Sequence, residues 1–185
     1  MWPAQRDDLL AAIAFVRANA SELGVDPARI VLLGRSAGAQ IATATAYAVR
    51  DPGIRGVVAI YPPTDFRLTW DVSIEPGNLD HRLNLVAFLG GTPTNAAAPA
   101  YDSASAVELV TADAPPTLIL QGRLDINVFH RQAELLDERL GAAGVPHALV
   151  SLPWAAHAFD FVGFNTPGGQ VTTYAVDRFV AAVTR

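Results

Sequence analysis

Four short, continuous apolar runs constrain this chain most. They are Ile30-Val31-Leu32-Leu33, Gly56-Val57-Val58-Ala59-Ile60-Tyr61, Thr117-Leu118-Ile119-Leu120 and Ala148-Leu149-Val150-Ser151-Leu152. Runs of four to six apolar residues without polar alternation are the pattern of strands buried on both faces. The stretches between them carry helical periodicity. Leu9, Ile13, Val16 and Ala20 fall on one face of a helix expected over Gln5 to Leu23, with Gly24 as its stop. An Ala-rich helix is expected from Ala37 to about Arg50, ended by Asp51-Pro52-Gly53. Phe129, Ala133, Leu136 and Leu140 share a face of a third helix, and Ala175, Phe179, Ala182 and Val183 mark a last one. Strands separated by crossover helices imply an α/β chain: a three-layer sandwich with a mostly parallel sheet of about four strands and helices on both faces.

The 185 residues suit a single domain over 1–185. One interval breaks the rhythm. From Pro62 to Pro115 the sequence holds a helix over about Asp80 to Phe88, a Gly90-Gly91 break and a short helical stretch near Ser105 to Thr111. A connection this long reads as a small cap or pocket wall, with a surface excursion of no role as the alternative.

Composition removes whole classes of function. Hydrophobic residues make up 51% and charged residues 17%, which excludes an intrinsically disordered chain. The formal net charge is −5, and all 13 basic residues are Arg, with no basic cluster, so no nucleic-acid partner is expected. There is no Cys, which removes disulfides and thiolate metal sites. No apolar run reaches the ~18 residues of a membrane-spanning helix. Met1-Trp2-Pro3-Ala4 lacks the pattern of a signal peptide, which makes cytoplasmic the default location.

The chemistry concentrates at Gly34-Arg35-Ser36-Ala37-Gly38, which follows the first strand and opens the Ala-rich helix. A strand reversing sharply into a helix holds its central residue in strained geometry and presents Ser36 above the carboxyl ends of the strands. Side chains two positions to either side would collide, which accounts for Gly34 and Gly38. The Ala37 N–H lies at the helix N-terminus, where the unpaired N–H groups favour a developing negative charge. A nucleophilic Ser needs a base, and the base needs an orienting acid; in this fold class the chain order should be Ser, then Asp or Glu, then His. Asp125 follows the third strand and His157 follows the fourth, so the three are expected at one sheet edge. Asp65, after the second strand, is the rival acid, and Asp160 a further carboxylate near the base. His81, His130 and His147 read as structural or solvated. Trp154, Phe159, Phe161 and Phe164 either line an acyl or alcohol pocket or pack under the last helix. No His/Asp/Glu cluster has metal-ligand spacing, so neither metal nor cofactor is expected.

These motifs, together with Tyr61-Pro62-Pro63-Thr64-Asp65, Ala114-Pro115-Pro116 ahead of the third strand, and Pro153-Trp154-Ala155-Ala156-His157-Ala158-Phe159-Asp160, resemble the α/β-hydrolases. They are most similar to the esterase/lipase branch that includes hormone-sensitive lipase and bacterial carboxylesterases. The resemblance implies a truncated α/β-hydrolase fold that cleaves small carboxylic esters, with Ser36 as nucleophile, His157 as base and Asp125 as orienting acid. Ala37 would donate to the oxyanion, and Arg35 beside it is a second oxyanion or substrate-binding candidate. Members of that branch carry a His-Gly-Gly oxyanion loop well ahead of the nucleophile, and none occurs among the 35 residues preceding Ser36. Two further readings therefore stand: a weakly active or inactive remnant serving as a binding module, and an amide-cleaving relative of formamidase or peptidase type. The strands that would precede the first helix are also missing, so the strand at Ile30 to Leu33 should be a sheet edge, covered in a homodimer or other oligomer, or else shielded by the first helix and the residues before it.

Overall fold

The structure, a computed structural model, describes residues 1–73, 81–161, 163 and 165–185. Its centre is a four-stranded sheet, β1 (Ile30–Arg35), β2 (Ile54–Ile60), β3 (Thr117–Gly122) and β4 (His147–Leu152), in the order β1-β2-β3-β4. Every neighbouring pair is parallel, with Arg35 opposite Ile60, Ile60 opposite Leu120 and Gly122 opposite Leu152. That register brings the four strands to an end along one edge. The inner strands explain the apolar runs. All of β3 is buried, and in β2 only Arg55 reaches solvent, whereas the outer strands β1 and β4 are partly exposed.

The connections are helical. The expected first helix breaks in two, α1 (Ala4–Ala18) and α2 (Ala20–Leu23), because Asn19 leaves helical geometry and caps the Phe15 carbonyl with its own side chain. Gly24 then ends α2 in the left-handed conformation. Crossovers follow through α3 (Ala37–Val49) and α8 (His130–Ala142), and the chain closes with α9 (Pro167–Val183). Ile13 of α1, Tyr47 of α3 and Leu136 and Leu140 of α8 pack on Leu32, Val57 and Ile119 on one face of the sheet. On the other face Val171, Ala175 and Phe179 of α9 cover Val58, Ile60, Leu118 and Leu120. The three layers are thus helices, sheet and one returning helix.

The interval between β2 and β3 holds more helix than its sequence suggests: α4 (Phe66–Val72), α5 (His81–Leu89), α6 (Ala98–Ala104) and α7 (Ala106–Leu109). Asp80, the expected start of α5, lies outside the described residues. α4 starts because the Asp65 carboxylate accepts from the Arg67 and Leu68 N–H groups, and α6 starts with Pro99 in its first turn. Trp2, Phe66, Leu85, Leu89 and Tyr101 form a separate apolar cluster that ties this interval to the N-terminal residues. Among the described residues no helix is long and apolar enough to cross a membrane.

Candidate active site

The turn from β1 into α3 is as tight as its sequence implies. Ser36 caps α3 at φ 50° and ψ −123°, in the left-handed half of backbone space that a non-glycine residue rarely occupies. Its N–H donates to the Ile60 carbonyl, so β2 holds the turn in place. A Cβ on Gly34 would overlap the carbonyl of Gly38, so that glycine is sterically obligatory. Gly38 differs from the sequence expectation: a Cβ there would meet nothing within 4 Å. The close approach is between the Cα of Gly34 and the backbone of Gly38, so one side of the turn alone requires the missing side chain. Neither the Ser36 hydroxyl nor the Ala37 N–H has a hydrogen-bond partner among the described residues.

Asp125 and His157 meet. The buried Asp125 accepts at Oδ1 from the N–H groups of Asn127 and Val128, both at 2.9 Å. Its Oδ2 accepts from Gln121 Nε2 at 3.1 Å and from His157 Nδ1 at 2.7 Å. With Nδ1–H committed to the carboxylate, the lone pair of the imidazole is on Nε2. The His157 loop is pressed close to β3: a Cβ on Gly122 would overlap the Ala155 carbonyl, and Leu124 N–H donates to that same oxygen at 2.9 Å. The rival carboxylates are otherwise engaged. Asp65 caps α4. Asp160 accepts from Arg35 Nε at 2.7 Å and from the Tyr61 hydroxyl at 2.9 Å. Arg35 therefore carries its guanidinium to Asp160. His130 bonds Ser151 Oγ and Glu134, and His147 bonds the Val145 carbonyl.

A cavity of about 420 Å³ opens beside Ser36 and Ala37. Its far walls come from the β2–β3 interval (Phe66, Val72, Leu85 and Phe88), and Ile41 and Phe129 close it from α3 and the β3–α8 loop. No Asp, Glu, Arg or Lys lines it among the described residues. The aromatic group expected beside the base is not part of this wall. Phe159 packs under α9 against Tyr61, Trp154 and Phe161 are exposed, and Phe164 lies outside the described residues. His81 does line the cavity, together with polar residues to which the sequence assigned no role, among them Gln5, Gln40, Asn84, Asn127 and Gln132. Gln132 had a faint signal: it stands on the apolar face of α8 next to Ala133 and is itself buried, where it holds the Thr64 and Asp65 N–H groups.

A four-stranded parallel sheet with a strand–Ser–helix turn at its carboxyl edge defines the class: the chain is an α/β-hydrolase. Residues 1–140 match the BD-FAE family model, and the chain belongs to that family. It is 31% identical over 194 residues to a probable carboxylic ester hydrolase, LipM, of Mycobacterium tuberculosis, an alignment covering 98% of this chain and 44% of LipM. It is 28% identical to the esterase LipQ of the same organism, over 98% of this chain and 44% of LipQ. The chain thus spans under half the length of these curated relatives. Among solved structures, a fungal esterase from Rhizomucor miehei superposes with a TM-score of 0.79 at 23% identity, over 100% of this chain and 61% of the other.

Proposed function

We propose that this chain is a serine hydrolase that cleaves small, uncharged carboxylic esters through an acyl-enzyme on Ser36. The hydrogen bond from His157 to the buried, N–H-bound Asp125 carries this reading, because it fixes the imidazole in the one tautomer that leaves Nε2 free to accept a proton. Ser36 Oγ attacks the acyl carbonyl while His157 Nε2 takes the hydroxyl proton. Asp125 stabilises the imidazolium that forms. The Ala37 N–H donates to the developing oxyanion at the N-terminus of α3. The imidazolium protonates the departing alkoxide, and a water deprotonated by Nε2 then releases the acid. No hydrogen bond joins Ser36 to His157 among the described residues, and such contacts commonly tighten only with substrate bound. The uncharged lining of the cavity favours neutral acyl and alcohol groups.

Labelling with a fluorophosphonate probe tests this reading. The unmodified chain is expected to label and to turn over short p-nitrophenyl esters, and Ser36→Ala to do neither. An unmodified chain that does not label would overturn the proposal.

A further inference from the structure

We propose that Asp160 is a positioning residue that clasps the loop bearing His157 to the turn bearing Ser36, gripping Arg35 with one carboxylate oxygen and Tyr61 with the other. The proposal rests on the serine-hydrolase reading for its consequence, though not for its geometry.

Asp160 stands three residues past His157, and its side chain is 2% exposed. A carboxylate taken this far from water has to be paired and hydrogen-bonded, or the fold would not keep it. Both of its partners belong to the elements that carry the site. Arg35, bonded at 2.7 Å to Oδ2, is the last residue of β1 and the immediate neighbour of Ser36. Tyr61, whose hydroxyl donates to Oδ1 at 2.9 Å, is the first residue after β2. Tyr61 is itself held in place. Its backbone has φ 43°, and its N–H donates to Leu120 at 2.7 Å. Its ring lies 4.5 Å, centroid to centroid, from the His157 imidazole at an interplanar angle of 55°, and Phe159 supports it edge-on from 5.5 Å. Burial, and then the Asp160 carboxylate, push the phenol up from its ordinary value, so it remains a neutral donor wherever the enzyme works.

One carboxylate therefore links three things that the chain does not join directly: the residue before the nucleophile, the ring backing the base, and the loop on which the base sits. Asp125 orients the imidazole about its Nδ1–H bond. The ring of Tyr61 sets the face against which the imidazole rests, and Asp160 fixes that ring. Arg35 also gains a role unlike the oxyanion or substrate-binding one expected from its position, since its Nε is spent on Asp160 and its side chain is absent from the cavity wall.

Three single variants (Asp160→Asn, Arg35→Ala and Tyr61→Phe), one double variant and two readouts test the clasp. With p-nitrophenyl acetate, Asp160→Asn and Arg35→Ala are expected to lower kcat about tenfold or more with KM changed by less than about twofold, because misplacement of a base costs rate rather than binding. Tyr61→Phe should lower kcat less, and the Tyr61→Phe/Asp160→Asn pair should be no worse than Asp160→Asn alone, since both act through one carboxylate. The second readout needs no activity. The Nδ1 proton of His157, expected as a downfield NMR resonance in the unmodified chain because of its bond to Asp125, should broaden or vanish in Asp160→Asn and Arg35→Ala while the fold is retained by circular dichroism. Folded variants with kcat within about twofold of the parent and an unchanged His157 proton would make the contact merely structural and overturn the clasp. If Asp160→Asn or Arg35→Ala does not fold, Tyr61→Phe decides against the same twofold limit and the same His157 proton, since it keeps the Arg35–Asp160 ion pair and removes only the hydroxyl. A parent chain that neither labels nor turns over sinks the hydrolase reading instead, and the proton resonance then judges the clasp by itself.

Discussion

Ser36 sits at a backbone conformation that costs a non-glycine residue of order 1–3 kcal/mol. The cost is borne because the reversal from β1 into α3 leaves no other way to carry a side chain at the sheet edge. The two glycines around it are not equivalent. We expect Gly34→Ala to abolish soluble, folded protein, because its Cβ would overlap the Gly38 carbonyl. Gly38→Ala should fold and melt at the same temperature or higher, by up to ~1 kcal/mol from helix propensity, or about 2–4 °C at this chain length. Expression with thermal denaturation monitored by circular dichroism separates the two. A cooperatively folded Gly34→Ala chain would refute the packing argument. At this scale the sequence was informative about identity and blind to partnership. Asp125 and His157 could be paired from chain order, because this fold sets the order in which its strands bring an acid and then a histidine to the sheet edge. Nothing comparable announces that Arg35 turns to Asp160, a long-range contact with no local signature, and the polar Gln132 on the apolar face of α8 signals burial without naming Thr64 and Asp65 as its partners.

At the scale of elements, the legible parts are those where burial is symmetric. β2 and β3 are buried on both faces and stand out as apolar runs. α4 does not, because Phe66–Val72 mixes aromatic and β-branched residues of weak helix propensity and is started by the Asp65 cap and the packing of Phe66. The cavity wall was hidden for the same reason: Phe66, Leu85 and Phe88 converge only through tertiary packing. α1 shows how an element with little local support is anchored. Arg17 donates to both oxygens of Asp51, at 2.6 and 3.1 Å, joining α1 to the turn between α3 and β2. The Arg17 hydrogen bond holds the Asp51 carboxyl below the ordinary carboxylate range, against the opposing effect of partial burial. A carboxyl whose folded-state value is depressed stabilises the fold above its unfolded value near pH 3.9, and that contribution is lost as pH falls through the lower folded value. Asp51→Asn should therefore lower stability by about 0.5–1 kcal/mol at neutral pH, roughly 2–4 °C per kcal/mol in Tm, with the gap to the parent closing as pH falls below about 4. Thermal melts of both chains across that range check it. A gap that stays constant with pH would show that the loss came from packing rather than charge.

For the whole molecule, the unusual surface is the outer edge of β1. β1 pairs with β2 alone, so its other side presents backbone N–H and C=O groups with no strand against them among the described residues. The surroundings are apolar. Leu33 is 45% exposed, Phe15 is exposed on α1, and Leu9, Ile13 and Val16 form with Ile30 and Leu32 an open groove of about 180 Å³. A parallel strand of this kind ordinarily lies inside a sheet, and natural proteins shield a long apolar edge rather than leave it in water. The excess of hydrophobic residues, 51% of the chain, is then partly surface awaiting cover rather than core. We expect a second copy of this chain to supply that cover. A two-fold axis beside β1 would pair it antiparallel with its counterpart, because a two-fold reverses strand direction, and would make one eight-stranded sheet whose reactive edges face opposite ways. Size-exclusion chromatography with light scattering should then give twice the 19.6 kDa chain mass at micromolar concentration. Leu33→Lys, which puts a charge on the exposed apolar edge, should return the monomer without disturbing the buried faces of β2 and β3. A parent chain that stays monomeric and well behaved under those conditions would mean that β1 tolerates its open edge, and that neither the groove nor Leu33 marks an interface between copies.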